Sequence, residues 1–358
     1  MRTAFGSGHP EHADARSDGS LTTADWITIM RRCLIFFTAL LTTSCSSGNL
    51  PALAPHVAPQ GVPGRIYSQH LGKIVNHYSC PARGSLVYVS DYNNDVINVY
   101  NGNLAGQAPC GQIGSPSSLS APDGLYLQSS THDLYVANRG SSNIKVFHRG
   151  QLTPFNTYLD ENGYQFMDSV VAKDGTLIAT SIDCTLSTWL VGSNGGTYVG
   201  TFGVDRCEGG YPAYITVDKN STFYFDAAIG GQLDPHPALL IVSCPHGACG
   251  EQTRVWWHVG RFSSPEGMAF DAAGDLLMTD LHAHNDSTAD TFELPNPNPK
   301  TFSLSGTTEG MAIDSRDNHW FVANAYGGAS EYAYPGGALI GTVTANTNGY
   351  MSGIAVDP

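Results

Sequence analysis

The residues with the most chemical potential lie in two short polar stretches. Asp280-Leu-His-Ala-His-Asn-Asp286 alternates its imidazoles, so in an extended segment His282 and His284 project to the same side. Two histidines with Asp280 begin a transition-metal site, which takes three or four ligands. Zinc is the cofactor this chemistry would take. The neighbouring loop 227–237 carries Asp234 and His236, which would line the same rim as ligand contacts and not as metal ligands. The plainer reading is that histidines in an exposed polar loop are simply solvated. Four acids, Asp123, Asp168, Glu266 and Glu309, recur at matching points of a repeat and form a third candidate. Crowded carboxylates repel one another unless a cation or proton neutralises them, and oxygen ligands suit calcium or magnesium. Their plainer reading is hydration in an open channel.

What must position these residues is a repeated pair of strands. The pattern is an apolar strand, an Asp/Gly turn, and a second apolar strand ending in Asp or Asn. Full copies are Pro265–Asp280 and Thr308–Asn324; weaker ones begin at Pro122, Met167 and Pro212. The starts at 122, 167, 212, 265 and 308 are 45, 45, 53 and 43 residues apart, a blade-sized period. No segment sustains a helical period with caps. Leu86-Val-Tyr-Val-Ser-Asp91 is a second strand without a first, and Ser352-Gly-Ile-Ala-Val-Asp357 is a first strand without a second. Joining them completes the series. The expected fold is all-β: a six-bladed β-propeller over 65–358, its ring closed by the C-terminal strand pairing with the N-terminal blade.

Strands that follow one another in a blade are antiparallel, so first-strand starts and second-strand ends share a face. That face would gather Asp123, Asp168, Glu266 and Glu309 around the channel mouth. Tyr92, Arg139 and Tyr326, which follow second strands, would line the rim as ligand contacts. Trp256-Trp257-His258 could form a sugar platform, but adjacent strand residues face opposite sides, which favours packing between blades. There is no Gly-x-Ser-x-Gly elbow and no Gly-rich phosphate loop between strand and helix.

At Leu134–Phe147 and Ser352–Asp357 the chain resembles the NHL-repeat and senescence-marker/gluconolactonase type of six-bladed propeller, over roughly residues 86–358. The resemblance implies one enzymatic alternative, a metal-dependent lactonase-type hydrolase. There a channel cation polarises a lactone carbonyl, and one of Glu266, Glu309 and Asp280 activates water. Such propellers also include pure binding proteins. Glu266 and Glu309 sit in the ordinary repeat signature, so the expected function is a non-catalytic binding or scaffold module.

The N-terminus reads as an address. Met30-Arg-Arg precedes the apolar run 33–41 and Thr42-Thr-Ser-Cys45, the form of a secretory signal. Its end resembles a bacterial lipoprotein signal, which makes Cys45 a lipidation site, although Thr42 stands where leucine is usual. Residues 1–29 are acidic and polar and read as a mis-assigned extension; 30–45 are the signal, and the proline-rich 46–64 a tether. The expected location is the bacterial cell envelope, with the membrane reached only through the lipid, or secretion. Beyond Cys45 come Cys80, Cys110, Cys184, Cys207, Cys244 and Cys249. An even count in an exported chain points to disulfides, most simply 80–110, 184–207 and 244–249. Cys244-Pro-His-Gly-Ala-Cys249 is also conceivable as half of a metal knuckle.

Composition narrows the partners. The 358 residues are 41% hydrophobic and only 13% charged, which is too apolar for a disordered chain. A formal charge of −14 argues against nucleic acid and against docking on anionic lipid. A monomer meeting an envelope protein or a small ligand is the expectation.

Overall fold

A computed structural model describes residues 77–114, 119–160, 162–204, 212–227, 238–256, 265–281, 287–292, 300–304, 306–326, 328–344 and 349–357. The chain divides into the units Met1–Ala52 and Leu53–Pro358, and every described residue lies in the second. The signal, the tether and Cys45 lie outside the described residues.

The described chain is built almost wholly of strands. The first group is β1 (His77–Tyr78), β2 (Leu86–Asp91), β3 (Val96–Asn101) and β4 (Gly111–Ile113). Next come β5 (Pro122–Gln128), β6 (Asp133–Asn138), β7 (Asn143–Phe147) and β8 (Asn156–Leu159). They are followed by β9 (Phe166–Val171), β10 (Thr176–Ser181), β11 (Thr185–Leu190) and β12 (Thr197–Gly203). The fourth group is β13 (Ile215–Val217), β14 (Thr222–Ala227), β15 (Ala238–Ser243) and β16 (Thr253–Trp256). The fifth is β17 (Pro265–Phe270), β18 (Leu276–Leu281), β19 (Ser287–Phe292) and β20 (Lys300–Ser303). Last are β21 (Thr308–Ile313), β22 (His319–Asn324), β23 (Gly328–Ala333), β24 (Leu339–Val343) and β25 (Met351–Asp357).

Each group from the second to the last forms a four-stranded antiparallel meander, β25 excepted. The sheets take a β-propeller arrangement. Six blades closed into a ring were the expectation, and here the structure differs: it shows five regular blades and does not itself show a closed ring. Five sheets have the four-stranded form; the sheet holding both chain ends has five strands, ordered β1-β4-β3-β2-β25. The extra strand β1 covers the outer edge of β4, beside the Cys80–Cys110 bridge. On the other side β25 pairs antiparallel with β2, with Val87 opposite Val356, as the unmatched half-repeats require.

The repeat glycine has a steric cause. At the third position of each copy stand Gly124, Ser169, Tyr214, Gly267, Gly310 and Gly353. A Cβ on Gly310 would lie 2.6 Å from the Ser352 carbonyl oxygen and 3.0 Å from the Gly353 Cα. Gly267 backs in the same way onto Gly310, and Gly353 onto Gly124. Inner strands therefore approach backbone to backbone, and four of the six copies leave no room for a side chain there.

Between sheets, each face packs an apolar layer against its neighbour. Leu86, Tyr88, Ile97, Leu134, Val136 and Phe147 form one cluster; Ile178, Leu186, Ile215, Phe223, Phe225 and Leu240 form another. A second, polar tie reinforces these contacts near the ends of the second strands. The Thr180 hydroxyl donates to the Ala213 carbonyl at 2.9 Å, Thr279 to that of Glu309 at 3.2 Å, and Ser90 to that of Asp123 at 2.8 Å. Each bond reaches the following repeat at or just ahead of its first strand.

The Cys80–Cys110 and Cys244–Cys249 bridges are formed as local pairing suggests. Bridging of Cys244 and Cys249 removes the metal-knuckle alternative, because both thiols are consumed. Cys184 is also disulfide-bonded, while Cys207 lies outside the described residues. Bridges of this kind belong to an oxidising, extracellular setting. Among the described residues no helix is long and apolar enough to cross a membrane.

Candidate functional site

The repeat acids do not surround an open mouth. Asp123, Asp168, Glu266 and Glu309 are 3%, 7%, 0% and 1% exposed, so they are buried. Tyr214, standing where the repeat otherwise places glycine, enters the space between the inner strands. Its hydroxyl donates to Glu309 Oε2 at 3.0 Å, on β21, and lies 3.3 Å from the Ser352 carbonyl on β25. The Tyr350 hydroxyl donates to the other oxygen, Glu309 Oε1. Burial, reinforced by Glu309, holds both phenols well above the ordinary range, so they remain neutral donors.

Asp123 is compensated differently. Arg139, just after β6, meets Asp123 Oδ2 through Nη1 at 3.2 Å. Asp168 accepts the Ser169 amide on Oδ1 at 2.8 Å and the Ile215 amide on Oδ2 at 3.2 Å. Burial nevertheless pushes its carboxyl well above the usual range, and Asp123 and Asp226 add to the shift. Asp226 itself accepts the amides of Ala213 and Tyr214 at 2.9 and 2.8 Å, which fixes the backbone that carries the axial tyrosine.

Above this layer, Tyr92, Arg139 and Tyr326 of the expected rim lie together, while Asp234 and His236 of that rim fall outside the described residues. Arg139 places its guanidinium 5.6 Å from the Tyr92 ring centroid. Tyr92 meets Tyr350 edge-on at 6.1 Å, and Tyr350 meets Tyr326 edge-on at 5.6 Å. Tyr326 is 68% exposed, whereas Tyr350 is buried. Burial raises the Tyr92 phenol, with Arg139 acting against that shift. The patch is thus an aromatic row that is exposed at one end, carries a cation at the other, and rests on buried acids.

Second-strand ends behave as turn residues. Asp91 accepts the Asn94 side-chain amide at 2.8 Å, Asn138 accepts the Ser120 amide at 2.7 Å, and the Asp183 amide donates to the Ser181 hydroxyl at 3.1 Å. Asp280 is the penultimate residue of β18, with its backbone opposite Pro265, and its side chain lies outside what is described. His282, His284, Asp234 and His236 lie outside the described residues. Among the described residues, no three of His, Cys, Asp and Glu come together as metal ligands. Phenols, a guanidinium and backbone amides already engage Glu309, Asp123 and Asp168.

Sequence reasoning missed Tyr214, Tyr350 and Asp226. Tyr214 did leave a signal, a bulky residue in a glycine register. Tyr350 lies one residue ahead of β25 and shows no pattern of its own.

No protein-family model matches the chain, and no curated protein matches it. Similarity appears among solved structures. One belongs to a nidogen/laminin complex, at 13% identity over 76% of this chain and 98% of that chain, with a TM-score of 0.57. Another is a protein of unknown function from Bacteroides caccae, at 10% identity over 76% and 99%, with a TM-score of 0.54. A gluconolactonase-like structure matches at 18% identity over 65% and 80%, with a TM-score of 0.46. Together with the sheet arrangement, the first two define the class: this chain is a β-propeller protein.

Proposed function

We propose that the chain is an exported, lipid-anchored six-bladed propeller that binds a ligand or protein partner in the cell envelope. The blade count includes the mixed sheet, with β25 serving as its inner strand. Support comes from the pairing of β25 with β2 and its position beside both β5 and β21. Closing the circle in this way would protect two inner edges that are otherwise unpaired.

The observation that carries the binding reading is the row Arg139–Tyr92–Tyr350–Tyr326. Residues from four separate stretches of chain form one patch whose outer ring faces solvent. Tyrosine and arginine side chains supply contact area with a polar handle, and they dominate recognition surfaces. The lactone-hydrolase alternative rests on the sequence resemblance alone.

A photo-crosslinking residue placed at position 326 tests the reading in intact cells of the source organism. A single defined adduct is expected there, absent when the probe replaces Leu339, which is exposed on β24. Tyr92→Ala should remove it. Equal labelling at both positions, or none at 326, would overturn the proposal.

A further inference from the structure

The sheet holding both chain ends and the last four-stranded sheet do not fill the layer between them. On β3, Ile97 and Val99 pack with Leu134 and Phe147 of the second group. Alternation turns Asn98 and Tyr100 the other way, and Tyr100 joins Phe321, Ala329 and Val343 of the last group. The outer strand facing them differs from its counterparts. β8 sets Tyr158 opposite Ile144 and β20 sets Phe302 opposite Ala289, whereas β24 sets Val343 opposite Ala329. Tyr158 meets Trp189 of the next sheet edge-on at 6.1 Å, and Phe302 meets Trp320 of the next sheet at 5.8 Å. Rings fill those two layers. No ring stands at Val343, and a cleft of about 390 Å³ remains beside it.

The wall of this cleft is polar but uncharged. It holds no Asp, Glu, Lys, Arg or His. Asn98 and Tyr100, each 4% exposed, form its buried part; Gln107, Thr342 and Thr344 stand toward solvent. Burial, with Asp91 adding to it, pushes the Tyr100 phenol up to about 12, so it remains a neutral hydroxyl. Asn98 Oδ1 accepts the Gln112 amide at 3.1 Å. The amide hydrogens of Asn98 and the hydroxyl of Tyr100 have no partner among the described residues, and neither group is sealed from the cleft. Gln107 Nε2 donates to the carbonyls of Asn103 and Asn101 at 3.0 and 3.4 Å, which leaves its oxygen as an acceptor.

These groups select among ligands. An ion would find no counter-charge in the wall and would lose its hydration. A wholly apolar ligand would strand the Asn98 amide and the Tyr100 hydroxyl. A hydroxyl both donates and accepts, so a neutral ligand with several hydroxyls can satisfy a donor, an acceptor and a phenol together. A 150 Å³ cavity holds one benzene ring, so this larger cleft has room for a six-membered ring with its hydroxyls. The geometry points to a sugar site between the first and last sheets, sized for one neutral pyranose ring and recognised by Asn98, Tyr100 and Gln107. The cleft shares no residue with the row Arg139–Tyr92–Tyr350–Tyr326, so the two readings are tested separately.

Saturation-transfer NMR titration of the exported chain with the methyl pyranosides of glucose, galactose, mannose and N-acetylglucosamine tests the assignment. At least one should saturate, and it should bind at least about tenfold more tightly than the glucuronate or amino-sugar analogue of the same ring. Tyr100→Phe keeps the ring, removes the hydroxyl, and should weaken binding about three- to tenfold. Val343→Phe supplies the ring that β8 and β20 carry and should abolish binding, with the melting temperature held or raised. Tyr326→Ala should leave binding unchanged. Failure of all four pyranosides to saturate would overturn the assignment. So would equal binding of a charged analogue, an unchanged affinity in Tyr100→Phe, or saturation that survives Val343→Phe.

Discussion

Asp168 and Tyr214 show how much a single side chain decides near the axis. The folded-state pKa of Asp168 is raised above its unfolded value, so the folded chain holds this proton more tightly. The associated stability is fully present below about pH 4, the unfolded carboxyl range, and is lost as pH rises through the folded value. Asp168→Asn removes that titration while keeping one acceptor oxygen for the amides. Urea melts across pH 4 to 8 should show a smaller fall in stability with rising pH for the variant than for the parent; parallel curves would contradict this. Tyr214→Phe leaves Glu309 Oε2 without its phenol donor in a buried setting. The expected cost is about 1–3 kcal/mol by denaturant titration.

Among the elements, close approach of the inner strands predicts a sharp contrast between glycines. Gly310→Ala would drive a Cβ into the Ser352 carbonyl and should cost about 1–3 kcal/mol or more, whereas Gly203→Ala meets nothing within 4 Å and should be near neutral. Comparable melting temperatures for the two variants would show that the strands can separate freely. The disulfides can be ranked in the same way. In the loop-entropy picture, the bridge across 30 positions contributes about 3.5 kcal/mol and the one across 5 positions about 2 kcal/mol. Double Cys→Ser variants of each pair should reproduce that order in denaturant melts. Much of this level was readable beforehand. The period, the strand pairs, the β25–β2 match and the two local bridges all follow from short-range patterning. The additional strand β1 was not readable, because two residues against a sheet edge carry no period.

For the whole molecule, the anchor is the testable claim. Feeding cells an alkyne-tagged palmitate should label the full-length chain, and Cys45→Ser should abolish the label while leaving the disulfides formed. Label retained in the variant would place the lipid elsewhere, and absence of label in both would overturn the anchor. The acidic balance of the chain, −14 overall, suits a body that does not adhere to anionic lipid on its own.

The amino-acid order by itself determined the repeat, the class of fold and the face shared by first-strand starts. Each of these follows from alternation and spacing over a few dozen residues, where backbone geometry leaves few options. Only the tertiary structure decided what those residues do. Tyr214 meets Glu309 across 95 positions of sequence. Tyr350 joins Tyr92 to Tyr326, which come from opposite ends of the described chain. Distance across the axis depends on how the sheets are arranged around it, and spacing along the chain does not encode that distance. The acids therefore read as an open ring in sequence, yet in the fold they lie buried beneath two phenols and an arginine.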